Sequence, residues 1–170
     1  MFGGGGNVAR QVVQLVEQWN PSQVYDHERK YQSELQEFLD SELNSQQGGF
    51  GMNAGGGGGH VVSTERGVSR GDVVVDDVVG IELKRNFSNS QKKKLRGQLE
   101  DYADNYDFVI ACACGIEDMD GWRELENKVG GSRQGFMDAT QFKFVIKRRD
   151  EMGSTGGSGN GGLLGGGGLF

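Results

Sequence analysis

The chain has 170 residues, a formal net charge of −6 and a pI near 5.0, with 31 glycines, one proline and two cysteines. That length suffices for one domain with a real core, and the acidic balance offers no bulk attraction for a polyanion, although local basic patches outweigh the sum. No run approaches the roughly 18 apolar residues of a membrane span, and MFGGGG at the N-terminus lacks the basic and apolar regions of a secretory signal.

Residues 1–7 are glycine-rich and expected to be disordered. Val8, Val12, Leu15, Val16 and Trp19 then recur at helical spacing. Asn20-Pro21 ends that helix, because the residue before a proline avoids the α conformation. A second helix is expected over 26–43, with Tyr31, Leu35, Phe38 and Leu39 as its apolar stripe. Glu34 lies three residues after Tyr31 and four before Phe38, on the same face. Taken alone, it reads equally as a carboxylate bordering the stripe and reaching for water. Residues 46–59 form a glycine-rich loop that is long for a compact domain, hence disordered or a functional flap. A short strand is expected over 60–65.

Residues 71–86 read GDVVVDDVVGIELKRN. Two valine-rich runs, 73–75 and 78–83, flank an acidic turn, the pattern of a β-hairpin. Asp72, Glu82 and Lys84 interrupt it, and charges in an apolar hairpin need partners or a metal. Register decides whether they meet. A two-residue turn at Asp76-Asp77 pairs Asp72 with Ile81 and sends it to the wrong face. A three-residue turn, Asp76 to Val78, pairs Asp72 with Glu82 and Arg70 with Lys84; a bulge at Gly80 would serve as well.

Ser88 with Gln91 three residues on is a capping-box signature. The helix that follows has Leu95, Leu99, Tyr102 and Tyr106 on one face, with Gln98 beside them. Lys92, Lys93, Lys94 and Arg96 open it, against the macrodipole; they read as a grip for an anionic partner or as a solvated face. Residues 107–114 form a near-continuous apolar run, hence a buried strand. Cys112 and Cys114 share one side of it. Same-strand neighbours make a poor structural disulfide, so a reduced, intracellular and cytoplasmic protein is expected. With only His27 and His60 to add, a zinc site is not expected, and both thiols read as small core residues. Trp122, Leu125 and Val129 mark a short helix closed by Gly130-Gly131. Phe142, Phe144 and Ile146 alternate with polar residues in a last strand ended by Lys147, Arg148 and Arg149. The organisation is thus one domain over 8–152 with a mixed α/β sheet and helices on its faces, followed by a glycine-rich tail, 153–170. Leu163-Leu164 and Leu169-Phe170 in the tail are candidate docking dots for a protein partner, beside plain disorder.

Asp72 in GDVVV, Glu82 and Lys84 in IELKR, and the order αβββαβ together resemble the PD-(D/E)XK nuclease superfamily, the restriction-endonuclease-like fold. Gln98 and Tyr102 in QLEDY resemble the Q-x-x-x-Y element of its RecB-like branch. The resemblance spans roughly residues 26–114; Gly71 stands where the family often has proline. It implies a metal-dependent nuclease acting on DNA. Asp72 and Glu82, with the Leu83 carbonyl, would hold Mg²⁺ or Mn²⁺, a hard cation that prefers oxygen donors. Lys84 would position water or phosphate, and Glu34 would be the helical acid. Gln98 would orient a ligand or meet the nucleic-acid backbone, with Tyr102 packed beneath. Arg70, Arg85, Lys92, Lys93, Lys94 and Arg96 would contact phosphates, which position a strand without reading its bases. A homodimer is compatible with this reading, and a membrane is not involved. The alternative is a non-catalytic nucleic-acid-binding module on the same fold, and a complete Asp, Glu and Lys set favours the enzyme.

Overall fold

The computed structural model describes residues 5–45, 59–64, 71–131 and 140–153. Arg70, most of the expected flap and the tail from residue 154 on lie outside the described residues. In chain order the elements are α1 (Gly5–Gln18), α2 (Glu28–Asn44), β1 (Val62–Ser63), β2 (Val73–Val75), β3 (Val79–Phe87), α3 (Asn89–Tyr102), β4 (Phe108–Ile116), α4 (Met119–Gly131) and β5 (Gln141–Lys147). The strands form one mixed sheet in the order β1-β2-β3-β4-β5, antiparallel up to β3 and parallel from there. The mixed α/β class read from the sequence is therefore observed.

Helices cover both faces. Ala9, Val12 and Val16 of α1 and Tyr31, Leu35, Leu39 and Leu43 of α2 recur at three- and four-residue spacing and bury one stripe each against the sheet. Leu95, Leu99 and Tyr102 of α3 and Trp122, Leu125 and Val129 of α4 do the same on the other side. Between them β4 alternates. Ile110, Cys112 and Cys114 face α1 and α2, whereas Val109, Ala111 and Ala113 face α3 and α4. A strand buried on both faces has no polar position to spare, which is why its sequence is continuously apolar. Both cysteines are free and buried, filling space as small apolar groups.

The alternation reverses at the carboxyl ends of β3 and β4. Period two would send Phe87 and Ile116 to the α1–α2 side, yet both pack against α3 and α4. The residues before them, Asn86 (φ 48°) and Gly115 (φ 84°), occupy the left-handed region and turn each strand over. The two are neighbours: a Cβ on Gly115 would lie 2.6 Å from Asn86 Oδ1. The reversal delivers Phe87 to Trp122, ring centroids 5.0 Å apart and edge to face.

Several boundaries differ from expectation, and Tyr106, read on the face of the third helix, lies beyond its end at Tyr102. Helix α1 begins at Gly5 rather than Val8, so residues 5–7 are ordered into its first turn. Helix α4 continues through Gly130-Gly131 instead of stopping before them. Strand β1 has two residues rather than six, because side chains take over from the ladder. The Asp76 carboxylate accepts the Val61 N–H at 2.7 Å and pairs with His60 Nδ1 at 2.6 Å, while Asn44 bonds both main-chain groups of His60. No helix among the described residues is long and apolar enough to cross a membrane.

Candidate functional site

The hairpin register is the one that brings the charges together. Val73 pairs with Ile81 and Val75 with Val79, so the next step of the ladder sets Asp72 opposite Glu82. The turn achieves this with Asp76 and Asp77 both left-handed, at φ 54° and 55°. Aspartate tolerates that region better than most residues. The Val78 N–H closes onto the Val75 carbonyl at 3.0 Å. Val78 is then an extra residue before pairing resumes at Val79, and the register is that of a three-residue connection.

Strand β3 outgrows β2 at this end, leaving main-chain donors with no strand beside them among the described residues. Carboxylates satisfy them. Asp72 Oδ2 accepts the Leu83 N–H at 2.8 Å and Glu28 Oε2 accepts the Arg85 N–H at 3.0 Å. Glu28 stands in the first turn of α2, where the helix dipole favours a negative charge. Between these carboxylates lies the Lys84 ammonium. It bonds Glu82 Oε1 and the Leu83 carbonyl (3.1 Å), with Glu28 Oε1 at 3.6 Å. Glu82 is 1% exposed and Lys84 6%. Such a pair survives burial only when its remaining lone pairs and protons are also engaged. Tyr102 meets part of that need, its hydroxyl donating to Glu82 Oε2 at 2.5 Å.

The titration of the cluster follows from this crowding. Burial lowers the Lys84 pKa, but Glu82 and then Glu28 outweigh it and hold the ammonium above its ordinary value. Burial, then the charge of Glu82, raises the Tyr102 hydroxyl, so it stays a proton donor. Burial first, and Glu82 second, push Asp72 up to about 7, against an unfolded value near 3.9. A carboxyl whose folded pKa is raised stabilises the fold while protonated. Its contribution is fully present below about pH 4 and is lost as pH rises to about 7, at most a few kcal/mol by linkage. Asp72→Asn should therefore flatten this part of the stability curve. Denaturant melts of parent and variant between pH 4 and 8 test it; two parallel curves would contradict the assignment.

An aromatic floor supports the site. Tyr106 packs edge to face on Tyr102, centroids 6.1 Å apart, and its ring lies over Gly80. A Cβ on Gly80 would sit 2.4 Å from Tyr106 Cδ2. Only glycine admits the ring at that point of β3. Gly80→Ala is expected to cost about 1–3 kcal/mol of overpacking strain, read from the urea midpoint. An unchanged midpoint would mean the ring yields freely.

Several sequence-derived candidates lie elsewhere. Glu34, read as the helical acid, is a correction: its carboxylate is taken by the Ser22 N–H (2.8 Å), the Ser22 hydroxyl (2.9 Å) and the Tyr25 hydroxyl (2.6 Å). It fastens the α1–α2 loop, and Glu28, which sequence reasoning missed, is the α2 acid at the cluster. The signal was present, since Glu28 lies three residues before Tyr31 as Glu34 lies three after it. Gln98 is half-buried, and its Oε1 accepts no hydrogen bond among the described residues. Arg85 is half-buried on β3, while Lys93, Lys94 and Arg96 are exposed on α3. Lys92 is tied to Glu124 and Arg96 to Glu100.

Among the described residues, no group of three or more His, Cys, Asp and Glu side chains is already gathered to hold a metal ion. The donors that surround the Lys84 ammonium are nonetheless carboxylate and carbonyl oxygens, the chemistry that suits Mg²⁺, and they already converge on one positive charge. No protein-family model matches the chain, and neither a curated protein nor a solved structure matches it.

Proposed function

We propose that the chain is a Mg²⁺-dependent nuclease of the PD-(D/E)XK type that hydrolyses phosphodiester bonds in DNA inside the cell. The observation that carries this reading is the buried Glu82–Lys84 pair on β3, with Tyr102 on Glu82 and the half-buried Asp72 bonded to the Leu83 N–H between them. The sequence α2, β1, β2, β3, α3, β4 supports it as well, being the order αβββαβ that the resemblance implies. Buried charge of this kind is costly to keep, and such costs concentrate where chemistry is done.

Asp72, Glu82 and the Leu83 carbonyl would hold the cation, with Glu28 at hand in place of Glu34. The cation would supply an activated water and neutralise charge on the phosphate. The chain's own groups do the rest. Tyr102 fixes one oxygen of Glu82 and so sets the direction of the other. Lys84 carries the positive charge that a phosphate oxygen or an attacking water would face. Buried β3 and the aromatic floor hold these groups in place, as tight positioning demands.

Incubating the purified chain with labelled single-stranded, duplex and branched DNA, with Mg²⁺, Mn²⁺ or chelator, tests the proposal. Metal-dependent shortening of at least one substrate is expected. Binding without cleavage under every condition would leave the non-catalytic module as the better reading.

A further inference from the structure

Helices α3 and α4 border an open surface groove of about 150 Å³ lined by Lys92, Lys93, Arg96, Glu124, Leu125 and Lys128. Four of its six walls are cations and one is a carboxylate. Glu124 answers two of them at once: Oε2 accepts from Lys92 Nζ at 2.7 Å and Oε1 from Lys128 Nζ at 2.5 Å. Lys92 belongs to α3 and the other two to α4, so ammonium groups from separate helices converge on one small oxyanion. Two carboxylate oxygens occupy the positions that two non-bridging phosphate oxygens can take. The hydrogen bonds from Lys128 and then Lys92 hold the Glu124 carboxyl down to about 2. Leu125 is buried and forms an apolar wall.

We infer that this groove is a binding site for the phosphates of a nucleic-acid strand, with Lys128 among its contacts and Glu124 as a built-in competitor that the strand displaces. The inference rests on the nuclease reading. Helix α3 joins the groove to the cluster. Tyr102 touches Glu82 at one end of the helix, and Arg96 and Lys92 lie about 9 and 15 Å back along its axis. Along the helix axis the groove and Tyr102 are thus separated by the length of a few nucleotides. Glu124 tempers the site by making every strand replace two ion pairs, and it does so without entering the chemistry.

The test measures binding alone, using the full chain and labelled single-stranded DNA in chelator, across a range of salt. Glu124→Gln should bind roughly 2- to 10-fold tighter, as expected from releasing exposed ion pairs. Its salt dependence should steepen by about 0.7 slope units for each added phosphate contact. Lys128→Ala should bind more weakly, with a shallower slope. Thermal melts confirm that both variants fold. If Glu124→Gln melts lower than the parent but binds DNA no better, Glu124 is only a clasp between helices and the inference is overturned. Affinity for inorganic phosphate without affinity for DNA overturns it equally. Groove binding that behaves as expected while no substrate is cut with Mg²⁺ sinks the nuclease reading and leaves the groove standing.

Discussion

Replacing Asp72 by asparagine or Glu82 by glutamine should reduce Mg²⁺-dependent cleavage by about 10³-fold or more. A bound divalent cation supplies several kcal/mol of charge stabilisation in the transition state, and each 1.36 kcal/mol is tenfold in rate. The two variants separate in stability. Asp72→Asn removes a carboxylate that burial and Glu82 both disfavour, so above neutral pH it should fold at least as stably as the parent. Glu82→Gln loses charge-assisted bonds to Lys84 and Tyr102 and should cost about 1.5–3 kcal/mol. Both should bind Mg²⁺ more weakly by titration calorimetry. Parental cleavage by either variant would remove it from the metal site.

Lys84→Met probes the other half of the cluster. The ammonium now sits among Glu82, Glu28 and the Leu83 carbonyl; methionine keeps most of the volume and removes the charge. Three carboxylates, those of Asp72, Glu82 and Glu28, are then left without their central cation. Breaking a buried pair from one side typically costs about 3–5 kcal/mol, and that loss is expected in chelator. Added Mg²⁺ should restore much of it and bind more tightly than to the parent, because Lys84 no longer competes for the same oxygens. Cleavage should nevertheless be lost or slowed by about 10²-fold or more, since the charge that faces water or phosphate is gone. Melting curves with and without Mg²⁺ decide the point. Equal melting temperatures for parent and variant, shifted equally by Mg²⁺, would show that the ammonium does not hold the cation's place.

The parts of the fold legible in the sequence are those written in local periodicity. The apolar stripes of α1 to α4 and the valine-rich hairpin were all readable, and so was the need for an odd-length turn if Asp72 was to meet Glu82. How the turn is built was not readable, because two adjacent left-handed aspartates and an extra Val78 are decided by the strands they join. Glu28 and Glu34 flank Tyr31 at equal spacing, so helical phase cannot choose between them. The choice is tertiary: one meets the Arg85 N–H of β3, the other the loop at Ser22 and Tyr25. Lys147 illustrates the same limit. It reads as the basic end of a strand, yet the alternation of β5 buries it, and its ammonium donates to the Glu17 carbonyl at 2.7 Å. Asn86 and Gly115 are residue types that accept positive φ, but nothing local says that they lie side by side and reverse two strands together.

The most direct test is cleavage of labelled DNA by the parent chain and by Glu82→Gln, purified identically and compared in Mg²⁺ and in chelator. The cluster of Asp72, Glu82 and Lys84 as a nuclease centre requires that the parent cut only with Mg²⁺ and that the variant cut more slowly by about 10³-fold or more. Equal cutting by both preparations, or none by a folded parent on any DNA form, would contradict it.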